Sequence, residues 1–190
     1  MKFIHPLISF LRRFYRGNPT AIIGTIIVVT VLSMSMGASL IADNEPTKRV
    51  ARGHQPPSAE LWLGSTRSGK DVFSQVLHGG QVSLLVAFSA ASITTIIAVV
   101  VGVSAGYFGG RVDEILMSIS NIVLVFPQLP LLIILAAFIG QVGPLVIALI
   151  IGLSSWAWGA RVIRSQTMTI RNKEFILAAE VMGESKWRII

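Results

Sequence analysis

The 190-residue chain is 53% hydrophobic and only 13% charged, with 16 Lys and Arg against 9 Asp and Glu, whereas soluble domains carry about 25% charged residues. A soluble core of this size has too much surface to cover with so few charges, so an ordinary soluble domain is excluded and lipid is the expected solvent. The absence of cysteine removes a disulfide framework, a zinc ribbon and a cysteine nucleophile, and the net charge of +7 informs through its location rather than its total.

In residues 1–20, Phe3, Leu7, Leu11 and Phe14 recur at helical spacing among Lys2, Arg12, Arg13 and Arg16. This is the pattern of a basic amphipathic helix on a membrane surface, or of a frayed basic tail. Residues 21–41 carry no charge and fit one transmembrane helix, since a hydrocarbon core about 30 Å thick takes roughly 20 apolar helical residues. A cleaved signal peptide fits less well: the apolar run is too long, and Leu40-Ile41-Ala42 is a poor cleavage site.

Residues 42–81 mix Asp43, Glu45, Glu60 and Asp71 with Lys48, Arg49, Arg52, Arg67 and Lys70, as a translocated loop does. Within it, Gly64-Ser65-Thr66-Arg67-Ser68-Gly69-Lys70-Asp71 imitates a phosphate-binding loop. Asp71 stands where the magnesium-ligating hydroxyl is required, so nucleotide binding is not expected. His5, His54 and His78 have no metal-ligand spacing, and no metal site or cofactor is expected.

Residues 82–160 should hold three transmembrane helices. The first runs from about Val82 to Ala105, and the glycines of Gly106-Tyr107-Phe108-Gly109-Gly110-Arg111 should relieve the backbone restrictions of a tight hairpin. The 46 residues from Ile115 to Ala160 are uncharged and would reach about 69 Å as one helix, so they must fold back at Gly140-Gln141-Val142-Gly143-Pro144. Ser118, Ser120 and Asn121, then Phe126-Pro127-Gln128-Leu129-Pro130, mark the middle span as polar and kinked, because the prolines remove backbone donors. Such a span suits a translocation pathway or a packing kink. Gly152-Leu153-Ser154-Ser155-Trp156 lacks the second glycine of a serine-hydrolase elbow and has no intramembrane base, so Ser154 and Ser155 are expected to pack helices. No span contains an ionisable residue, which counts against a proton-coupled transporter.

In residues 161–190, Arg161, Arg164, Arg171, Lys173, Lys186 and Arg188 outnumber Glu174, Glu180 and Glu184. Positive charge at both ends around four spans predicts that both ends are cytoplasmic. Phe175, Ala178, Ala179 and Met182 fall at i, i+3, i+4 and i+7, with Gly183 placed to stop the helix. The result is a short helix with a small-residue centre that another protein can approach closely.

The run from Glu174 through Ile190 resembles the cytoplasmic EAA loop of ABC-importer permeases, in the form of the dipeptide/oligopeptide (OppC/DppC-like) branch, which reads E-Y-x-x-A-A-x-x-x-G-A-S-x-W-R-I-I. Leu63-Gly64 with Gly69-Lys70-Asp71-Val72, Val82-Ser83-Leu84, Ala105 to Gly110 with Asp113, and Phe126-Pro127 resemble further landmarks of that branch in the same order. The resemblance implies an all-α, polytopic type I (MetI-like) permease in the cell membrane that catalyses nothing itself. It implies coupling to an ATPase through Glu174, Phe175, Ala178, Ala179, Met182 and Gly183, and a pathway near Ser118, Asn121, Pro127 and Gln128. The implied partners are a second homologous permease subunit, two cytoplasmic ATP-binding subunits, an extracytoplasmic solute-binding protein and membrane lipid, with no nucleic acid. Departures are Leu177 in the EAA triplet, Asn121 where the family often has Asp, and Thr66 and Lys70 in place of Asp and Arg. The family continues beyond this loop through two more spans, so the expectation is an incomplete permease. Nickel or another small solute is the alternative cargo to peptides, and a non-transporting fragment the alternative to transport.

Overall fold

The computed structural model describes residues 17–140 and 143–185 together with Arg188. The amphipathic segment expected over residues 1–16 therefore lies outside the described residues, as do Gln141 and Val142 of the expected turn and Lys186, Trp187, Ile189 and Ile190 of the loop motif. The described residues are helical apart from connections and two isolated β-bridges. The helices are α1 (Pro19–Met36), α2 (Ala38–Ile41), α3 (Val72–Phe108), α4 (Gly110–Val125), α5 (Gln128–Ile139), α6 (Pro144–Arg171) and α7 (Glu174–Val181). They form two compact units, one ending at Ser83 and the other beginning at Leu84 within α3.

In the first unit, α1 starts on a proline, whose missing N–H costs nothing at that position. Ser35 alone among its residues is buried, which suits a helix whose solvent is lipid. The segment between α2 and α3 is an ordered weave, with bridges pairing Arg49 with Lys70 and Ser65 with Asp71. Gly64 and Gly69 in it are each dictated twice over, by positive φ and by close backbone approach. Gly69 has φ +77°, and a Cβ there would lie 2.0 Å from the Ala51 carbonyl oxygen. The phosphate-loop imitation has a structural explanation. The N–H groups of Gly64, Ser65, Thr66, Gly69 and Lys70 are all bonded within the protein. The buried Asp71 accepts from the Phe73 N–H (3.0 Å), capping α3, and from the Asn44 amide (3.1 Å).

In the second unit, α6 is the central helix. Ala98 of α3 and Trp156, Ala157 and Ala160 of α6 form its buried cluster. Small residues bring α3 and α6 together: a Cβ on Gly102 would lie 2.6 Å from the Ala160 carbonyl oxygen, and one on Gly106 would lie 2.8 Å from that of Arg164. The contacts ascend together, from Ala90 opposite Gly152 through Ala98 opposite Gly159 to Gly106 opposite Arg164, so α3 and α6 run parallel. The chain between them must therefore return across the bundle once.

That return is made by α4 and α5, bent by 77° where they meet. The sequence implies a kink; the structure has a break. Phe126 adopts extended angles (φ −74°, ψ 123°), as the residue before a proline does, and α5 begins after Pro127 with Pro130 in its first turn. By length and apolarity α1, α3 and α6 each suffice to cross a membrane, which gives three spans, or four when the bent pair is counted as one. This is an all-α, multi-span membrane fold.

Two boundaries differ from expectation. Helix α3 begins at Val72 and α6 ends at Arg171, each about ten residues beyond the expected spans, because helical hydrogen bonding does not stop where hydrocarbon does. The expected hairpin is also shorter. Gly106 and Tyr107 are helical, and the reversal falls on Gly109 (φ +63°) and Gly110 (φ +50°). Gly106 is a packing residue for α6 instead of a turn residue.

Candidate functional site

Helix α7 follows α6 after only Asn172 and Lys173. Glu174 opens it, placing a carboxylate at the positive end of the helix dipole. Its far end is a complete left-handed cap. The Gly183 N–H bonds the Glu180 carbonyl (3.0 Å), the Glu184 N–H bonds the Ala179 carbonyl (3.1 Å), and Gly183 has φ +79°. Gly183 thus stops the helix, with Met182 as the capping residue. No residue of α7 is buried: Phe175 is 65% exposed and Val181 89%, Ala178 is exposed and Ala179 half-buried. Six of the sequence-predicted residues, Glu174, Phe175, Ala178, Ala179, Met182 and Gly183, are therefore gathered on one uncovered helix and its cap.

The other predicted set lies along α4 and the break. The Asn121 side-chain oxygen accepts from the Arg161 guanidinium. Gln128 at the start of α5 donates to Ser155 Oγ (3.1 Å) and to the Ser154 carbonyl (3.3 Å). Ser118 and Pro127 are exposed, and neither is brought against α7. Ser155 bridges helices as expected of a packing serine, while Ser154 Oγ donates back to the Ile150 carbonyl (2.7 Å). Beside the break, Val123, Phe126, Leu131, Leu135, Leu149 and Leu153 line an apolar cleft of about 370 Å³.

Residues not singled out from the sequence complete the arrangement. Arg164 donates through Nε and Nη2 to the two carboxylate oxygens of Asp113, in a fork geometry, with side chains 30% and 15% exposed respectively. Asp113, Asn121 and Gln128 meet Arg164, Arg161 and Ser155 in descending order, so three polar rungs tie α4 and the start of α5 to α6, with α4 antiparallel to it. Nearby, Tyr107 in the last turn of α3 is 7% exposed, and its hydroxyl donates to Glu180 Oε1 of α7 at 3.4 Å. The Arg171 guanidinium stands 5.9 Å from the centre of the Tyr107 ring. A usable signal for Asp113 and Arg164 exists in the sequence: they flank the 46-residue uncharged stretch, and a stretch that folds back returns its ends to one side.

This arrangement is one of helix packing, a broken span and an exposed short helix, and comparison with known proteins agrees. Residues 98–190 match the family described as binding-protein-dependent transport system inner membrane component. The chain is 30% identical over 177 residues to the oligopeptide transport system permease protein OppC of Bacillus subtilis (strain 168), covering 93% of this chain and 58% of that protein. It is 32% identical over 190 residues to the dipeptide transport system permease protein DppC of the same organism, covering 97% and 59%. It is 34% identical over 133 residues to the nickel transport system permease protein NikC of Escherichia coli (strain K12), covering 70% and 48%. The chain thus spans less than two thirds of the length of these relatives. It belongs to the peptide/nickel group of ABC-transporter permeases, as an OppC/DppC-like member of the binding-protein-dependent inner membrane components.

Proposed function

We propose that this chain is the membrane subunit of an ATP-driven importer of dipeptides or oligopeptides, and that α7 receives the movement of a cytoplasmic ATP-binding subunit. The observation that carries this reading is α7 itself. It is a short, capped, uncovered helix presenting Phe175, Ala178 and Met182, in a chain similar over most of its length to OppC and DppC. Small residues at Ala178 and Ala179 allow close approach, and Phe175 supplies an anchor of the kind that dominates protein contacts. Glu174, Phe175, Ala178, Ala179, Met182 and Gly183 are the coupling residues.

Lys and Arg at both ends of the four spans favour a cytoplasmic N-terminus, a cytoplasmic α7 and an extracytoplasmic segment between α2 and α3. The transporter is completed by a second homologous permease subunit, two ATP-binding subunits that hydrolyse ATP, and an extracytoplasmic solute-binding protein. Ser118, Asn121, Pro127 and Gln128 are proposed to border the solute path, since the break at Pro127 frees backbone carbonyls that need protein or water partners.

The chain contains no native cysteine, so Ala179→Cys provides a single thiol for crosslinking. It should join to a co-expressed ATP-binding subunit; a well-inserted protein that never crosslinks would remove the coupling role. Nickel is the second reading, favoured by the 34% identity to NikC. Uptake of labelled dialanine against labelled nickel, in cells lacking the corresponding endogenous systems, separates the two.

A further inference from the structure

Helix α7 follows α6 through Asn172 and Lys173, so force on its exposed face reaches α6 through that joint. Glu180 lies six residues along from Glu174, about 9 Å at 1.5 Å per residue, near the other end of the helix. There Tyr107 of α3 donates its hydroxyl hydrogen bond to the Glu180 carboxylate at 3.4 Å.

Tyr107 is itself held. Its ring packs edge-on against Phe108 at 5.3 Å between centroids and lies under the Arg171 guanidinium. A Cβ on the neighbouring Gly109 would come 3.5 Å from Arg171 Nη1, so Arg171 also lies beside the α3–α4 reversal. The adjacent Gly106 presses α3 onto the backbone of α6 at Arg164. The hydroxyl that meets Glu180 therefore projects from a residue of α3 packed against Phe108 and against Arg171 at the end of α6.

We propose that Tyr107, positioned by Arg171, is a second attachment point for α7 through Glu180, so that displacement of α7 is delivered to the end of α3 as well as to α6. The joint to α6 and the Glu180 contact lie at opposite ends of α7. The two helices that receive the displacement are the parallel pair sealed by Gly102 and Gly106, and they would move together. Tyr107 and Arg171 act through α7 and are positioning residues. The attachment has a transport role only where α7 meets an ATP-binding subunit, and in that respect it rests on the function proposed above.

Nitroxide labels at Val181→Cys and Leu145→Cys report the position of α7 against the far end of α6, about 40 Å away along that helix. Pulsed EPR of the full chain in lipid nanodiscs, alone and with the ATP-binding subunits under ATP and vanadate, gives the distance distribution. The unsubstituted background should show one narrow peak in both conditions. Tyr107→Phe keeps the ring and its cation contact, and Glu180→Gln alters an exposed residue, so both should fold. Each should raise the population outside the narrow peak about fivefold, the factor expected for one ordinary hydrogen bond, and further under ATP and vanadate, with ATP hydrolysis unchanged. The double variant should be no broader than either single one, and Glu184→Gln, which removes the pair with Arg188, should stay narrow. Distributions equally narrow in all variants, with the Ala179 crosslink intact, would overturn the attachment and leave the coupling role standing. Broadening without any Ala179 crosslink would overturn the coupling role and leave the attachment.

Discussion

Gly102 and Gly24 are both glycines in apolar helices, yet a methyl group would meet different surroundings at each. At Gly102 it would lie 2.6 Å from a carbonyl oxygen of α6 and 2.8 Å from Ile163; at Gly24 it would meet nothing within 4 Å. Gly102→Ala should therefore push α3 off α6 and lower stability by about 1–3 kcal/mol, as overpacking does. Gly24→Ala should be neutral or stabilising by up to about 1 kcal/mol, through helix propensity. Thermal unfolding of the purified chain in detergent distinguishes them. The Asp113–Arg164 fork offers a second test. Asp113→Ala leaves a partly buried guanidinium without its carboxylate and should cost about 1–3 kcal/mol. The Asp113→Ala, Arg164→Ala double variant should lose less than the sum of the single losses, by at least about 0.5 kcal/mol. Sequence reading singles out Asn121 and Gln128 as polar marks in an apolar run but does not supply their partners. A partner 26 to 40 residues away is set by helix register, which hydropathy does not encode.

At the scale of elements, local rules held where the determinants are local. The i, i+3, i+4, i+7 pattern and the glycine after it give α7 and its stop, because a left-handed cap needs only one residue that tolerates positive φ. Gly183→Ala places a Cβ in that conformation, at a cost of roughly 1–2 kcal/mol. Amide exchange at Gly183 and Glu184, whose N–H groups close the cap, should accelerate about 5–30-fold; unchanged exchange would mean that the cap does not limit opening. The same glycine rule misassigns Gly106. A glycine in a helix and a glycine in a turn look alike in sequence, and only the approach of α6 separates them. Pro127 shows a related limit, since a missing donor predicts a disturbance but not its size, a 77° break. Just past it, the Gln128 side chain bonds Ser154 and Ser155 of α6.

For the whole molecule, the 53% hydrophobic composition and the partition of charge predict a multi-span membrane protein and an expected orientation. Parallel α3 and α6, with α4 and α5 returning between them, then follow from contacts that composition does not predict. The central claim is that the exposed helix after α6 meets an ATP-binding subunit, and a thiol crosslinking comparison tests it most directly. In inverted vesicles containing the co-expressed ATP-binding subunit, Ala179→Cys should give a crosslinked product. Leu145→Cys, exposed at the other end of α6, should give none. Equal crosslinking at both positions, or none at Ala179 in a stably inserted chain, would contradict the account.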